Sequence, residues 1–475
     1  MLHQTAKYAV ARWVPGLVNF AAVAIYTRLL DAPTYGTLAL GIAWITLGNA
    51  ILYQWLRNGV RRFLVAYRSQ RADFATTSVR AFLILTGVVL AVGLIILFVQ
   101  PTRLRRELVA VGLVALMAIA WLEINLEVVL AEIRPERYGA VMLVRALLSL
   151  AAGTGAALLG YGAVGVLLGI TMGYLVAGAW LSVLHGRELG SGASRPAILQ
   201  QLLAFGVPLT LTYGLETIVS SSDRILLGWL GGAAAVGAYA ASYNIAQQAM
   251  TTLMVTVNLG GYPMAVRALE VGGREEAIAH LRRHGLVLVG LALPAAVALM
   301  LLAPNIAHVL LGEAFREDAN RLMPVIACAG MLAGLKVFYF DLAFQLGKET
   351  GRQVWSSGGT ALANIALSIV FIPSFGAQGA AWASLLAFGL GVLLSLRLGA
   401  RSFPLPLPAR GWAEVALAAG AMGGVLLFLR DFQGPFALVL QCLVGAAAYG
   451  TMILVLNVGG LRGAGRRWLE THVRR

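Results

Sequence analysis

The feature that most constrains this chain is a set of apolar stretches, each near twenty residues, that recurs from one end to the other. A helix needs about 20 apolar residues to cross a bilayer. On that ruler fourteen spans fit, near 9–30, 35–56, 79–99, 108–131, 139–160, 163–184, 202–222, 236–258, 285–311, 322–346, 353–373, 377–398, 411–429 and 436–457. Only 12% of the 475 residues are charged, half the roughly 25% of an ordinary soluble domain. The expected fold is all-α: a polytopic membrane helical bundle of about 14 transmembrane helices. The first apolar run carries Arg12 and Pro15 and no clean small-residue cleavage site, so it reads as an uncleaved span.

The loops between spans are short. Loops 57–78, 259–284 and 399–410 are polar or basic and too small for a catalytic domain. A membrane glycosyltransferase, polymerase or ligase needs a large external loop with catalytic acids or metal ligands. The richest external stretch here is "LGEAFREDANR", with Glu313, Glu317 and Asp318, and it reads as a solvated helix-capping loop. There is no P-loop, nucleophile elbow or metal motif. His280 and His284 share a helix face but lack a third ligand, so they read as part of a basic helix, not a metal site. Cys328 and Cys442 read as small apolar residues within spans. The expectation is a transporter with no cofactor, driven by an ion gradient (H+ or Na+), the membrane potential or consumption of its product.

The formal net charge is +15, and no basic–aromatic nucleic-acid module accompanies it. The basic residues cluster in loops, the pattern of topology signals and anionic lipid headgroups. One side of the membrane collects Arg57, Arg61, Arg62, Arg68, Arg71, Arg187, Arg195, Arg267, Arg274, Arg282, Arg283, Lys348, Arg352, Arg401, Arg410 and the tail arginines. The other holds few, apart from the cluster Arg103, Arg105 and Arg106. Both termini are therefore expected in the cytoplasm.

An internal repeat organises the spans. "EIRPERYGAVMLVRALLSLAAGTGAALLGYGAVGV" from Glu132 aligns without a gap on "LGKETGRQVWSSGGTALANIALSIVFIPSFGAQGA" from Leu346. Arg134 meets Lys348, Gly162 meets Gly376 and, upstream, Glu127 meets Asp341. "TRLLDAPTYGTLAL" also pairs with "DRILLGWLGGAAAVGAYAAS", setting Arg28 opposite Arg224 and Gly36 opposite Gly237. Spans 1–6 thus correspond to spans 7–12 in the same orientation, as two pseudo-symmetric six-helix lobes. The expected division is 1–198, 199–404, and 405–475 for the last two spans and a basic tail. Transporters built from such halves place substrate between them.

These residues carry a resemblance. "SSSDRILLGWLGGAAAVGAYAASYNIAQQ", through Asp223, Leu227, Gly228, Val236, Gly237, Tyr239 and Tyr243, resembles the seventh-to-eighth span signature of the Wzx-type polysaccharide-biosynthesis flippases. "YTRLLDAPTYGTLAL" and "GAQGAAWASLLA" resemble that family's first-to-second span junction and twelfth-span entry. The family belongs to the multidrug/oligosaccharidyl-lipid/polysaccharide (MOP) exporter superfamily, and the resemblance covers essentially the whole chain. It implies a MATE/MurJ-like bundle, alternating access, and an undecaprenyl-diphosphate-linked oligosaccharide carried to the periplasmic leaflet of a bacterial inner membrane. The implied partners are that lipid, membrane lipids, polysaccharide polymerase and glycosyltransferases; a monomer is expected. A lipid II flippase shares the architecture. A cation-coupled multidrug exporter usually has twelve spans and weakly charged, acidic cavities, unlike this chain.

A diphosphate brings two negative charges into the membrane, which demands cations or hydrogen-bond donors, and Arg suits the task. Arg12, Arg145 and Lys336 lie inside spans and are the headgroup candidates. Arg12 and Arg145 are near enough to cytoplasmic ends to snorkel; Lys336 is deeper. The acids at membrane depth are Glu123, Glu127, Glu216 and Asp341. They fit either ion pairs inside the bundle, Lys336 with one and Arg145 with another, or an ion-coupling site. Arg28, Asp223 and Arg224 fall at the periplasmic ends of their spans and read as gate or interface residues.

Overall fold

The computed structural model describes residues 2–100, 102–132, 134–185 and 192–460; the side chains of residues 2–15, 185, 212 and 350 are outside the description. Arg187, the Arg12 side chain and the tail arginines beyond residue 460 therefore lie outside the described residues. Among those residues there is no strand. The helices are α1 (Leu2–Leu29), α2 (Ala32–Leu52), α3 (Gln54–Phe63), α4 (Arg71–Val99), α5 (Arg103–Ala131), α6 (Pro135–Leu158), α7 (Gly162–His185), α8 (Pro196–Leu230), α9 (Gly232–Leu301), α10 (Ala303–Leu310), α11 (Glu313–Leu335), α12 (Leu342–Leu346), α13 (Thr350–Gly399), α14 (Ala409–Leu429) and α15 (Pro435–Val455).

Local chemistry sets their starts. Asp31 caps α2, its Oδ1 accepting the Thr34 N–H at 2.9 Å; hydrogen bonding from the Thr34 side chain, and then from its N–H, holds the Asp31 carboxyl below the usual carboxylate range. Thr102 caps α5 in the same way, accepting from the Arg105 N–H. Pro135, Pro196 and Pro435 open α6, α8 and α15, where a missing N–H does no harm.

Ten helices are long and apolar enough to cross a membrane, or eleven with α8, which is bent by 42° between Leu211 and Tyr213. The protein is a multi-pass membrane protein. Only 17% of the most apolar window of α4 is buried, and Ile84, Ile95, Phe98 and Val99 stand exposed along it. Such a helix is stable only with lipid against that face.

Two helices hide reversals. At 1.5 Å per residue, the 70 residues of α9 would run to about 105 Å, three times a bilayer core. The helix breaks at Gly273, with φ 77° and ψ −169°, a conformation open to glycine. Beyond it the chain folds back: His280 Nε2 lies 3.2 Å from the Gly261 carbonyl, and Ala265 and Ala268 pack with Ala277 and Leu281. The expected polar loop 259–284 is thus a helical hairpin. In the same way α13 breaks at Gly376, and Asn364 bonds Ser384 at 3.2 Å while Ser356 bonds Ser395 at 2.8 Å. The expected loop from 57 likewise begins as helix α3.

The repeat has a conformational counterpart. Gly162, between α6 and α7, has φ 53°, and its repeat mate Gly376 has φ 54°. The break in α13 is therefore the α6–α7 turn repeated. The other repeat pair meets in space. A Cβ on Gly36 would lie 1.8 Å from the Ala233 carbonyl oxygen, and a Cβ on Gly237 would lie 2.1 Å from that of Ala32. The contact is reciprocal: α2 and the start of α9 touch backbone to backbone through equivalent residues.

The chain divides into two compact units, 1–240 with 368–376, and 241–367 with 377–475. In the second, α15 is tied to α9 by Tyr449 donating to the Gly290 carbonyl at 2.5 Å and to α10 by Asn305 donating to Gln441 at 2.7 Å.

Candidate functional site

The first unit contains a polar interior built from α1, α2, α3, α5, α6 and α7. Helix α3 is amphipathic: Leu56 and Val60 are buried, while Arg57 and Arg61, one turn apart, reach toward α5. There Glu123 and Glu127 are also one turn apart, so two charge ladders face each other. Arg61 grips Glu127 through Nε and Nη2, at 2.6 and 2.5 Å. Arg57 Nη1 lies 2.7 Å from Glu123 Oε2 and its Nη2 3.6 Å from Glu127. Asn49 of α2 donates to the same Glu123 oxygen.

Arg145 projects from α6. Its Nη1 donates to the Tyr174 hydroxyl at 2.8 Å, and its guanidinium carbon lies 4.8 Å from the centre of that ring. The residue is only 9% exposed, yet its Nε has no hydrogen-bond partner, and no carboxylate pairs with it among the described residues. The expected acid partner is missing; Tyr174 stands there instead. Glycine sets Tyr174 in place: a Cβ on Gly173 would lie 2.6 Å from the Arg145 carbonyl oxygen, so α7 approaches α6 at backbone distance.

Two cavities open onto these groups. One of about 300 Å³ is lined by Asn19, Tyr26, Asn49, Glu123, Arg145 and Tyr174 among others. A second of about 150 Å³ is lined by Arg57, Arg61, Glu123, Glu127, Tyr138 and Tyr174. Glu123 and Tyr174 border both. Among the described residues, three arginines against two glutamates leave one formal positive charge. The interior suits an anion, and Arg145 is the uncompensated cation.

Lys336 and Asp341 lie in the second unit, in contact with each other. Five residues apart, they would diverge on an α-helix. Residues Lys336–Phe340 form a π-helical turn, with the Asp341 N–H donating to the Lys336 carbonyl at 2.8 Å, and the wider turn brings both side chains to one face. Lys336 Nζ lies 2.8 Å from Asp341 Oδ2, with both side chains buried. Ser357 and Ser395 complete the network. Lys336 has its charge engaged and lines neither cavity. Breaking a buried pair costs about 3–5 kcal/mol, whereas replacing both partners by apolar residues is often neutral. Lys336→Met alone should therefore lower the thermal midpoint in detergent sharply, and Lys336→Met with Asp341→Leu should recover much of the loss. Equal destabilisation by both variants would show that the pair is not the source.

Asp223 is buried and accepts the Tyr239 hydroxyl at 2.8 Å. Arg28 is exposed and donates to the Ala24 carbonyl. Glu216 is half-buried on α8, and Arg224 is likewise partly buried. No described cavity brings these four to Arg145. Residue counting assigned Arg57 and Arg61 to a topology-setting loop; matching the two i, i+4 ladders, Arg57/Arg61 and Glu123/Glu127, would have found them.

A polytopic helical bundle with a cationic interior pocket is the framework of a membrane transporter. A family described as "Polysaccharide biosynthesis protein" matches residues 25–320. The chain belongs to that family. It is 35% identical over 97 residues to the "Probable flippase AglR" of Haloferax volcanii, a fifth of each chain. It is 29% identical over 247 residues to the "Probable lipid II flippase MurJ" of Rhizobium tropici, 50% of this chain and 45% of that one. These matches span less than half the length of either relative. The fold superimposes on a solved lipid II flippase MurJ, inward closed conformation, with TM-score 0.77 and 14% identity, covering 95% of this chain and 98% of that one.

Proposed function

We propose that the protein carries an undecaprenyl-diphosphate-linked oligosaccharide from the cytoplasmic to the periplasmic leaflet of a bacterial inner membrane, for synthesis of O-antigen, capsule or exopolysaccharide. The observation that carries this reading is Arg145, a buried arginine without a carboxylate, facing a 300 Å³ cavity. Family membership supports the cargo class. The chain then crosses fourteen times, with the α9 and α13 hairpins each crossing twice and α1 and α8 once each, and both termini are cytoplasmic; the breaks at Gly273 and Gly376 support this. In this reading Arg145 holds the diphosphate, and the Gly36–Gly237 contact, near Arg28, Asp223 and Arg224 in the chain, belongs to the periplasmic gate. Glu216 and Asp341 are the acids through which H+ or Na+ would couple. Lys336 braces the second unit, and Arg12 remains a headgroup candidate on sequence grounds. Glycosyltransferases supply the cargo and a polymerase consumes it.

The likeness to MurJ-named proteins favours a second reading, lipid II as cargo, which presents the same diphosphate. A positively charged pocket disfavours a cationic drug. Depleting the protein in its host separates the two cargoes. Loss of long-chain surface polysaccharide with intact cell wall supports the first; arrested wall synthesis and lysis support the second. Unchanged polysaccharide and wall would contradict both.

A further inference from the structure

The two glutamates facing α3 look equivalent in sequence and are not equivalent in space. Glu127 is 2% exposed and gripped at both oxygens by Arg61. Glu123 is 28% exposed, and only its Oε2 is engaged, by Arg57 and Asn49. It borders both cavities. The groups around it are under-satisfied: Arg57 Nε, Arg145 Nε and Asn49 Oδ1 are buried with no hydrogen-bond partner. Asn49 and Arg145 are each more than nine-tenths buried and line the larger cavity.

We infer that Glu123 is an internal placeholder for substrate: in the empty state its carboxylate occupies Arg57 and Asn49, and a bound diphosphate takes those donors from it. The inference rests on the diphosphate reading of Arg145. A carboxylate and a phosphate oxygen offer the same planar fork a similar acceptor, so the exchange keeps Arg57 paired throughout. Glu127 cannot play this part, because it is buried and both its oxygens are already held by Arg61. A transporter must also release its cargo. A competing carboxylate inside the site weakens the bound state by like-charge repulsion and refills the donors when cargo leaves. Glu123 is thus a residue that sets affinity without being the main anion contact.

The test is titration of the purified full-length protein in detergent with inorganic pyrophosphate, followed by calorimetry, with orthophosphate as the single-phosphate control. Glu123→Gln should bind pyrophosphate about tenfold more tightly than wild type, the scale of one like-charge contact removed from a partly buried site. Adding Arg57→Ala should abolish that gain. Glu123→Ala guards against an effect peculiar to glutamine and should also bind more tightly than wild type. Glu123 variants that melt like wild type but bind equally or less tightly would overturn the placeholder. Arg145→Ala separates the two readings. If it weakens binding while Glu123→Gln changes nothing, only the placeholder falls; if it binds like wild type, the diphosphate reading falls and the placeholder with it. A gain for orthophosphate equal to that for pyrophosphate would also count against the placeholder, marking a generic charge effect.

Discussion

Arg145→Ala is expected to abolish export of the lipid-linked cargo while leaving the protein folded and in the membrane. A hydrogen bond to a charged group contributes about 1.5–3 kcal/mol. Losing a bidentate arginine contact therefore lowers cargo affinity on the order of 100-fold or more. The stability change should have the opposite sign or be small. Among the described residues Arg145 has no carboxylate partner, so its removal strands no countercharge there; the Tyr174 hydroxyl loses a donor. A buried, unpaired charge is a burden on the fold that function retains. Arg145→Met should thus melt at or above the wild-type temperature while transport fails. Arg145→Lys keeps the charge but loses the planar fork, and should fall between. Transport at wild-type rate in a well-expressed Arg145→Ala protein would remove Arg145 from the headgroup site.

The second large effect is expected at the repeat-related glycines. Any side chain at Gly36 meets the Ala233 carbonyl oxygen, and any at Gly237 meets that of Ala32. Backbone atoms do not swing aside as a flexible side chain does. Overpacking at a close contact costs roughly 1–3 kcal/mol and sometimes more. Gly36→Leu or Gly237→Leu should lower the detergent melting temperature by several degrees, with Gly36→Ala intermediate. The two leucine substitutions together should destabilise less than their sum, since either alone already parts the same helices. Additive losses would mean that the two glycines do not share one contact.

Much of this architecture is legible in the sequence. The apolar spans give the helical membrane fold, and the gapless repeat gives two structural pairs. Gly162 and Gly376 share a backbone conformation, and Glu127 and Asp341 are both buried and ion-paired. The repeat fixes the acid but not its cation. Arg61 of α3 serves Glu127, whereas Lys336 of the π-helical turn serves Asp341. A five-residue spacing hides the second pair, because only a π-turn brings such residues to one face. Arg57 and Arg61 escape notice because a charge near a span end serves equally as a topology signal or as an inward ladder. The packing of α3 on α5 decides between them. The hairpins at Gly273 and Gly376 are legible in position. The break at Gly376 falls between the expected spans 353–373 and 377–398, and that at Gly273 falls inside the expected loop 259–284; what the sequence hides is that this loop is helical on both sides of its break. Arg145 is legible as a candidate, but its lack of an acid partner depends on which helices surround it.

The most direct measurement of the central claim is leaflet transfer in sealed proteoliposomes. Purified protein is reconstituted with a fluorescent polyprenyl-diphosphate-linked oligosaccharide, and an impermeant quencher reports which leaflet holds it. Expected is loss of protected signal with the wild-type protein, none with Arg145→Ala, and none for a cargo of the same sugar on a neutral lipid. Equal transfer of the neutral and diphosphate cargoes, or full transfer by Arg145→Ala, would contradict an anion-selective flippase built around Arg145.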